Sequence, residues 1–247
     1  PKRFIVDRDD GTTPAKRSFD GDPGFSLGPS NGDWVRTAGS STGVVWNDQA
    51  NEKTTDPRVA SSSSGHLVTF RRGGLSGKVL YGFLAPDGSP RGELRTLEVP
   101  GVRLSGTPDP AISGNAWLIA FAGRATPEEE WHVVLASGKL DGGAPVVRAF
   151  TSPPGGAGGS SIAPSVSGLG DAGFLLQWTE GKTAEYQVRV QRLGLDLEPQ
   201  GEVTLVSPKG ANAGQGAVFA RAPRALSLFV QTTAGHDELW GASLECP

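Results

Sequence analysis

Residues 163–178 read APSVSGLGDAGFLLQW: a Pro that opens a short β-rich stretch, a Gly-containing turn, then an apolar strand ending in an aromatic. The same order recurs at Asp56-Pro57 (DPRVASSSSGHLVTF, 56–70), at Asp109-Pro110 (DPAISGNAWLIAF, 109–121) and at Asp22-Pro23 (DPGFSLGPSNGDWVRT, 22–37). A fifth copy, GAVFARAPRALSLFV (216–230), lacks the leading Pro. An internal repeat outranks any single motif, and starts spaced by 34, 53, 54 and 52 residues suit blades of three or four short antiparallel strands. The pattern predicts an all-β, five-bladed β-propeller with blades starting near residues 23, 57, 110, 164 and 216, in which the Pro-led segments are the innermost strands.

Each full repeat continues into further strands, as in KVLYGFLAPDGSPRGELRTL (78–97) and EYQVRVQRLGLDLEPQGEVTLV (185–206), whereas the last stops at DELWGASLECP. The first residues, RFIVDRDDGTTPAKRSF (3–19), have the missing shape of strand, Asp-Gly turn and strand. Residues 1–20 are therefore expected to complete the last blade and close the ring, which removes the exposed edges that short strands otherwise present. Only 34 residues separate Pro23 from Pro57, so the first blade is expected to be short, with a four-bladed ring as the alternative.

The 36 Gly and 19 Pro among 247 residues fit many tight turns, and the short apolar runs carry no 3.6-residue period, so helix should be nearly absent. A net charge of −3 offers no field to gather phosphates, which argues against nucleic-acid binding. No apolar run reaches the roughly 18 residues of a membrane span. A chain that begins at Pro1 and contains no Met is expected to be a processed form or part of something longer, and the lone Cys246 is read as a stray thiol or a link to a missing partner.

The Pro-led strand, the apolar strand ending in an aromatic and the acidic-aromatic strand HDELWGASLE (236–245) resemble the repeat of secreted bacterial β-propeller proteins, of which myxobacteria carry many. The resemblance implies an exported or cell-surface protein. Five blades in this length also resemble tachylectin-type sugar-binding propellers and five-bladed glycoside hydrolases, although the signature residues of either are not found. The stretch Gly39-Ser-Ser-Thr-Gly-Val-Val-Trp46 keeps the Gly and Trp of the sialidase Asp-box but not its Ser and Asp, so that role is not carried over.

Asp22, Asp56 and Asp109 are the candidate chemical residues, since they precede innermost strands and would converge at one mouth of the channel. Converging carboxylates would suit a cation or the acid and base of glycoside hydrolysis. The stronger reading is a turn device in which each Asp accepts local backbone N–H groups before an extended X-Pro start. Trp178 aligns with Phe70 and Phe121 and belongs to the core, while Trp46, Trp131 and Trp240 are candidate sugar-stacking platforms. Glu128 to Glu130 and Glu180 read as solvated turns. The His residues show no metal spacing, no phosphate loop is present, and no cofactor is expected. The first functional reading is thus a non-catalytic exported binding or scaffolding propeller with a protein partner or larger parent assembly. The alternatives are a glycoside hydrolase using channel-mouth carboxylates and a carbohydrate-binding lectin.

Overall fold

The computed structural model describes residues 54–73, 76–150, 158–233 and 235–245. Every strand among them belongs to one of four antiparallel sheets. Sheet A comprises β1 (Thr54–Ser62), β2 (Gly65–Arg72), β3 (Lys78–Leu84) and β4 (Arg95–Thr96). Sheet B comprises β5 (Leu104–Ser105), β6 (Asp109–Ser113), β7 (Ala116–Arg124), β8 (His132–Lys139) and β9 (Gly142–Ala149), with β5 and β6 both paired to β7. Sheet C is β10 (Ser160–Gly168), β11 (Phe174–Gly181), β12 (Gln187–Leu193) and β13 (Pro199–Leu205). Sheet D is β14 (Asn212–Arg221), β15 (Arg224–Thr233) and β16 (His236–Glu245). One strand from each sheet, β1, β6, β10 and β14, lies beside the next, and together they form the innermost strands, as the repeat predicts. The fold is an all-β propeller with four blades among the described residues. The predicted blade from Pro23 and the predicted closure by residues 1–20 lie outside the described residues. No described helix is long and apolar enough to cross a membrane.

The core lies between blades. On β7, successive side chains point to opposite faces: Leu118 and Ala120 pack with Phe174, Leu176 and Trp178 of sheet C, while Trp117, Ile119 and Phe121 pack with Leu67, Val79 and Tyr81 of sheet A. A strand covered on both faces needs apolar residues at every position, which is why WLIAF and FLLQW read as unbroken runs rather than alternations. All eight residues of β11 are buried. Close approach of blades also demands small residues: a Cβ on Gly168 would lie 1.9 Å from the Ile112 carbonyl oxygen of the neighbouring inner strand.

The Pro-led repeat has a specific backbone cause. Each inner strand changes register by one residue against its partner: at 56–57 in β1, at 163–164 in β10 and at 215–216 in β14. The first residue of each bulge has a left-handed backbone, with φ of 56° at Asp56, 47° at Ala163 and 49° at Gln215. A Pro at the second position loses nothing, because the bulge has already removed that residue from the ladder. Opposite each bulge stands a buried aromatic, Phe70, Trp178 or Phe229.

Sheet B corrects the register. The Gly106 N–H bonds to the Ala122 carbonyl at 2.7 Å and pairing resumes at Asp109 with Ala120, so the bulge falls at Thr107-Pro108, opposite the buried Phe121. Asp109-Pro110 therefore sits two residues past the position of Asp56-Pro57. The two Asp residues are not equivalent, and the residue equivalent to Asp109 in sheet A is Arg58.

Candidate functional site

Aligning the four inner strands at their bulges puts Arg58, Asp109, Ser165 and Ala217 at one position around the axis. This position carries a seam between blades. The Asp109 carboxylate accepts the Val166 N–H at 2.8 Å, and the Ser165 hydroxyl oxygen accepts the Val218 N–H at 3.2 Å. Val166 and Val218 are themselves equivalent, one residue beyond the ring position in the following blade. Ser167 repeats the device one pleat further on, accepting the Ala220 N–H at 2.9 Å. At the seam between sheets A and B the corresponding residue is Pro110, which has no N–H to donate, and Arg58 faces it with no acceptor.

These residues line a cavity of about 800 Å³, walled by the inner strands and by the bulges of sheets B, C and D. Its size is that of a small-ligand site. Arg58 and Asp109 are the charged side chains in its described lining, and Trp131 contributes an aromatic wall. Burial pushes the Asp109 carboxyl above its ordinary value of 3.8, while the Val166 N–H, the Ser165 hydroxyl and the Arg58 charge pull it back. Ser165 thus links two bonds in series, from the Val218 N–H through its hydroxyl to Asp109.

The other expected residues are placed differently. Asp56 was expected to accept local backbone N–H groups, but its carboxylate accepts the Arg71 guanidinium, through Nε at 2.7 Å and through Nη2. Arg71 reaches on to the Ser105 carbonyl at 2.7 Å, so this ion pair ties sheet A to sheet B. Asp56 does not line the cavity. Asp109 likewise bonds across a seam to a residue 57 positions away, not to its own turn. Trp131 is half-buried and has one face occupied by the Arg124 guanidinium, 4.3 Å from its ring centre. Trp240 is 41% exposed on β16, donates its indole N–H to Glu238 at 3.1 Å, and is remote from the cavity. Asp22, Trp46 and Cys246 lie outside the described residues.

Glu180 is a correction to the expected solvated turn. It lies within β11 at 2% exposure, accepts the Trp178 indole N–H at 3.0 Å and faces Arg189 Nε at 3.6 Å. Its carboxylate is committed to the interior. Glu128, Glu129 and Glu130 are exposed in the β7–β8 loop, as expected. Among the described residues, no group of three or more His, Cys, Asp or Glu is placed to hold a metal ion. Sequence reasoning named Asp109 as a candidate but not Arg58 or Ser165, which the bulge alignment puts at the same ring position.

No protein-family model matches the sequence, and no curated protein matches it. Solved structures do match in shape. A GH43_1 enzyme from Xanthomonas citri aligns with a TM-score of 0.50 at 15% identity, covering 74% of this chain and 71% of that one. An endo-arabinase from Bacteroides thetaiotaomicron aligns at 0.49 and 14% identity over 76% and 74% of the two chains. A GH43 endo-arabinanase from Bacillus licheniformis aligns at 0.48 and 12% over 76% and 71%. At such identities the similarity is one of fold alone.

Proposed function

We propose that this chain is a carbohydrate-active propeller whose axial cavity takes a saccharide, with Asp109 as the acid of glycoside hydrolysis. The observation that carries the reading is the exchange of chemistries at one ring position. Ser165 holds the next blade with a hydroxyl, so the seam itself asks for no carboxyl group. An Asp in the same place must be desolvated, and desolvation is the usual means of keeping a carboxyl protonated long enough to donate to a leaving oxygen. Trp131 offers the cavity an aromatic wall against which a pyranose or furanose face packs. Hydrolysis needs a second carboxylate about 5–10 Å away. Asp56 and Glu180 are committed to Arg71 and to Trp178 with Arg189, so we assign the second group to the residues preceding Thr54, with Asp22 the candidate.

The same reading takes the protein to be exported, and its ring to be completed by a short blade starting near Pro23, with residues 1–20 pairing with β16. In support, sheet D has three strands where sheets A and C have four, and β16 forms its outer edge among the described residues.

A second reading, a saccharide-binding or scaffolding propeller without turnover, is favoured by the presence of one carboxylate in the described lining. Turnover of arabinan, xylan, pectin and chromogenic glycosides at several pH values separates the two. Asp109→Asn, which keeps the acceptor for Val166, is expected to lower the rate roughly 10²–10⁴-fold, the range for loss of a general acid. Binding without turnover in the unaltered protein would establish the second reading. Turnover unaffected by Asp109→Asn would remove Asp109 from the mechanism.

A further inference from the structure

The seam between sheets A and B breaks the rule that governs the next two. At the ring position, Asp109 and Ser165 each hold an N–H of the following strand, but Pro110 presents none to Arg58. No structural demand for an acceptor exists there, and a long cation stands in its place. Arg58 is exposed to the cavity space, and among the described residues no hydrogen bond or ion pair fixes its guanidinium. It is the cation in the described lining, and the other charged group there is Asp109, whose carboxyl is already occupied by Val166 and Ser165.

We infer that the saccharide taken by this cavity carries a carboxylate, as a uronic acid does, and that Arg58 receives it. The inference rests on the saccharide site proposed above and adds the charge of its ligand. A guanidinium presents a planar fork of N–H donors that matches a carboxylate with two parallel bonds, and it retains its charge at any working pH. A neutral sugar filling the same space would displace water from the exposed Arg58 guanidinium and bring no charge of its own to replace it. With the uronate carboxylate at Arg58, the Asp109 carboxyl remains in the lining of the same cavity, held by Val166 and Ser165.

The test is calorimetric titration of the full chain with trigalacturonate and with a glucuronate-terminated xylo-oligosaccharide, each against its methyl ester, in which a methyl group removes the carboxylate charge. Arabinotriose serves as a neutral control. Each acid is expected to bind at least roughly tenfold more tightly than its ester. In Arg58→Gln the ratio of acid to ester affinity should fall to about one, and Arg58→Lys should restore only part of it. Acid and ester binding equally well, or Arg58→Gln weakening both alike, would overturn the charge assignment while leaving a saccharide site in place. If no acid, ester or arabinotriose binds, the saccharide reading itself fails, and this inference fails with it.

Discussion

Asp109→Ala removes the acceptor for the Val166 N–H, on a residue only 6% exposed, whereas Asp109→Asn keeps an acceptor of the same reach. A buried donor left without a partner costs about 1–3 kcal/mol. For a domain of this size each kcal/mol moves Tm by roughly 2–4 °C, so Asp109→Ala should lower Tm by about 2–12 °C at neutral pH. The Asn variant should stay within about 1 kcal/mol of the unaltered protein. Charge adds a pH dependence whose sign is fixed. Burial raises the folded pKa of Asp109 above its ordinary 3.8, so below that pH the carboxyl is neutral in both states and carries no penalty. As the pH rises through the folded value, the native state must hold a buried charge, and that part of the stability is lost. Asn never bears the charge. Urea unfolding of the three proteins at pH 4 and pH 7 should therefore show the Asn variant gaining on the unaltered protein as the pH rises, with groups common to both cancelling. Asn proving as damaging as Ala, or the unaltered protein gaining on Asn with rising pH, would refute the argument.

Gly168→Ala would place a methyl against the Ile112 carbonyl and is expected to cost about 1–3 kcal/mol or more, read as a fall in the urea midpoint with an unchanged slope. If residues 1–20 pair with β16, its amides that do not bond to β15 should exchange slowly with deuterium in the full chain, and at least roughly tenfold faster once residues 1–20 are deleted. Fast exchange of those amides in the full chain would discard the closure.

The propeller is legible because its repeat is marked by a backbone event. A bulge tolerates Pro at its second residue, and a buried aromatic faces it, so Pro57 with Phe70 and Pro164 with Trp178 stand out in the bare sequence. The same marker misleads in TPDP, where Pro108 and Pro110 both qualify. The sequence favours the Asp-Pro match, but the hydrogen bond from Gly106 to Ala122 selects Thr107-Pro108. That two-residue slip hid the equivalence of Arg58, Asp109 and Ser165, and with it the division of the ring position into seam holders and a cation that makes no hydrogen bond or ion pair among the described residues. Glu180 was misread for another reason: EGK after an aromatic has turn composition, whereas the indole of Trp178 and the guanidinium of Arg189 help to make its burial tolerable. Asp109 itself was legible as a candidate, but its partner in the next blade was not, because no local pattern encodes a bond spanning 57 residues.

The bulges bear on how such a cavity changes over time. Its lining includes the bulge residues at 106–107, 163–164 and 215–216, one set from each of three blades. One equivalent position in each blade, Arg58, Asp109, Ser165 and Ala217, brings a different side chain to that lining, directly after a bulge. Duplicated blades can therefore diverge one residue at a time in what they recognise. An engineer could rewrite the same four positions on a fixed frame, provided that each residue facing a backbone N–H of the next blade remains an acceptor.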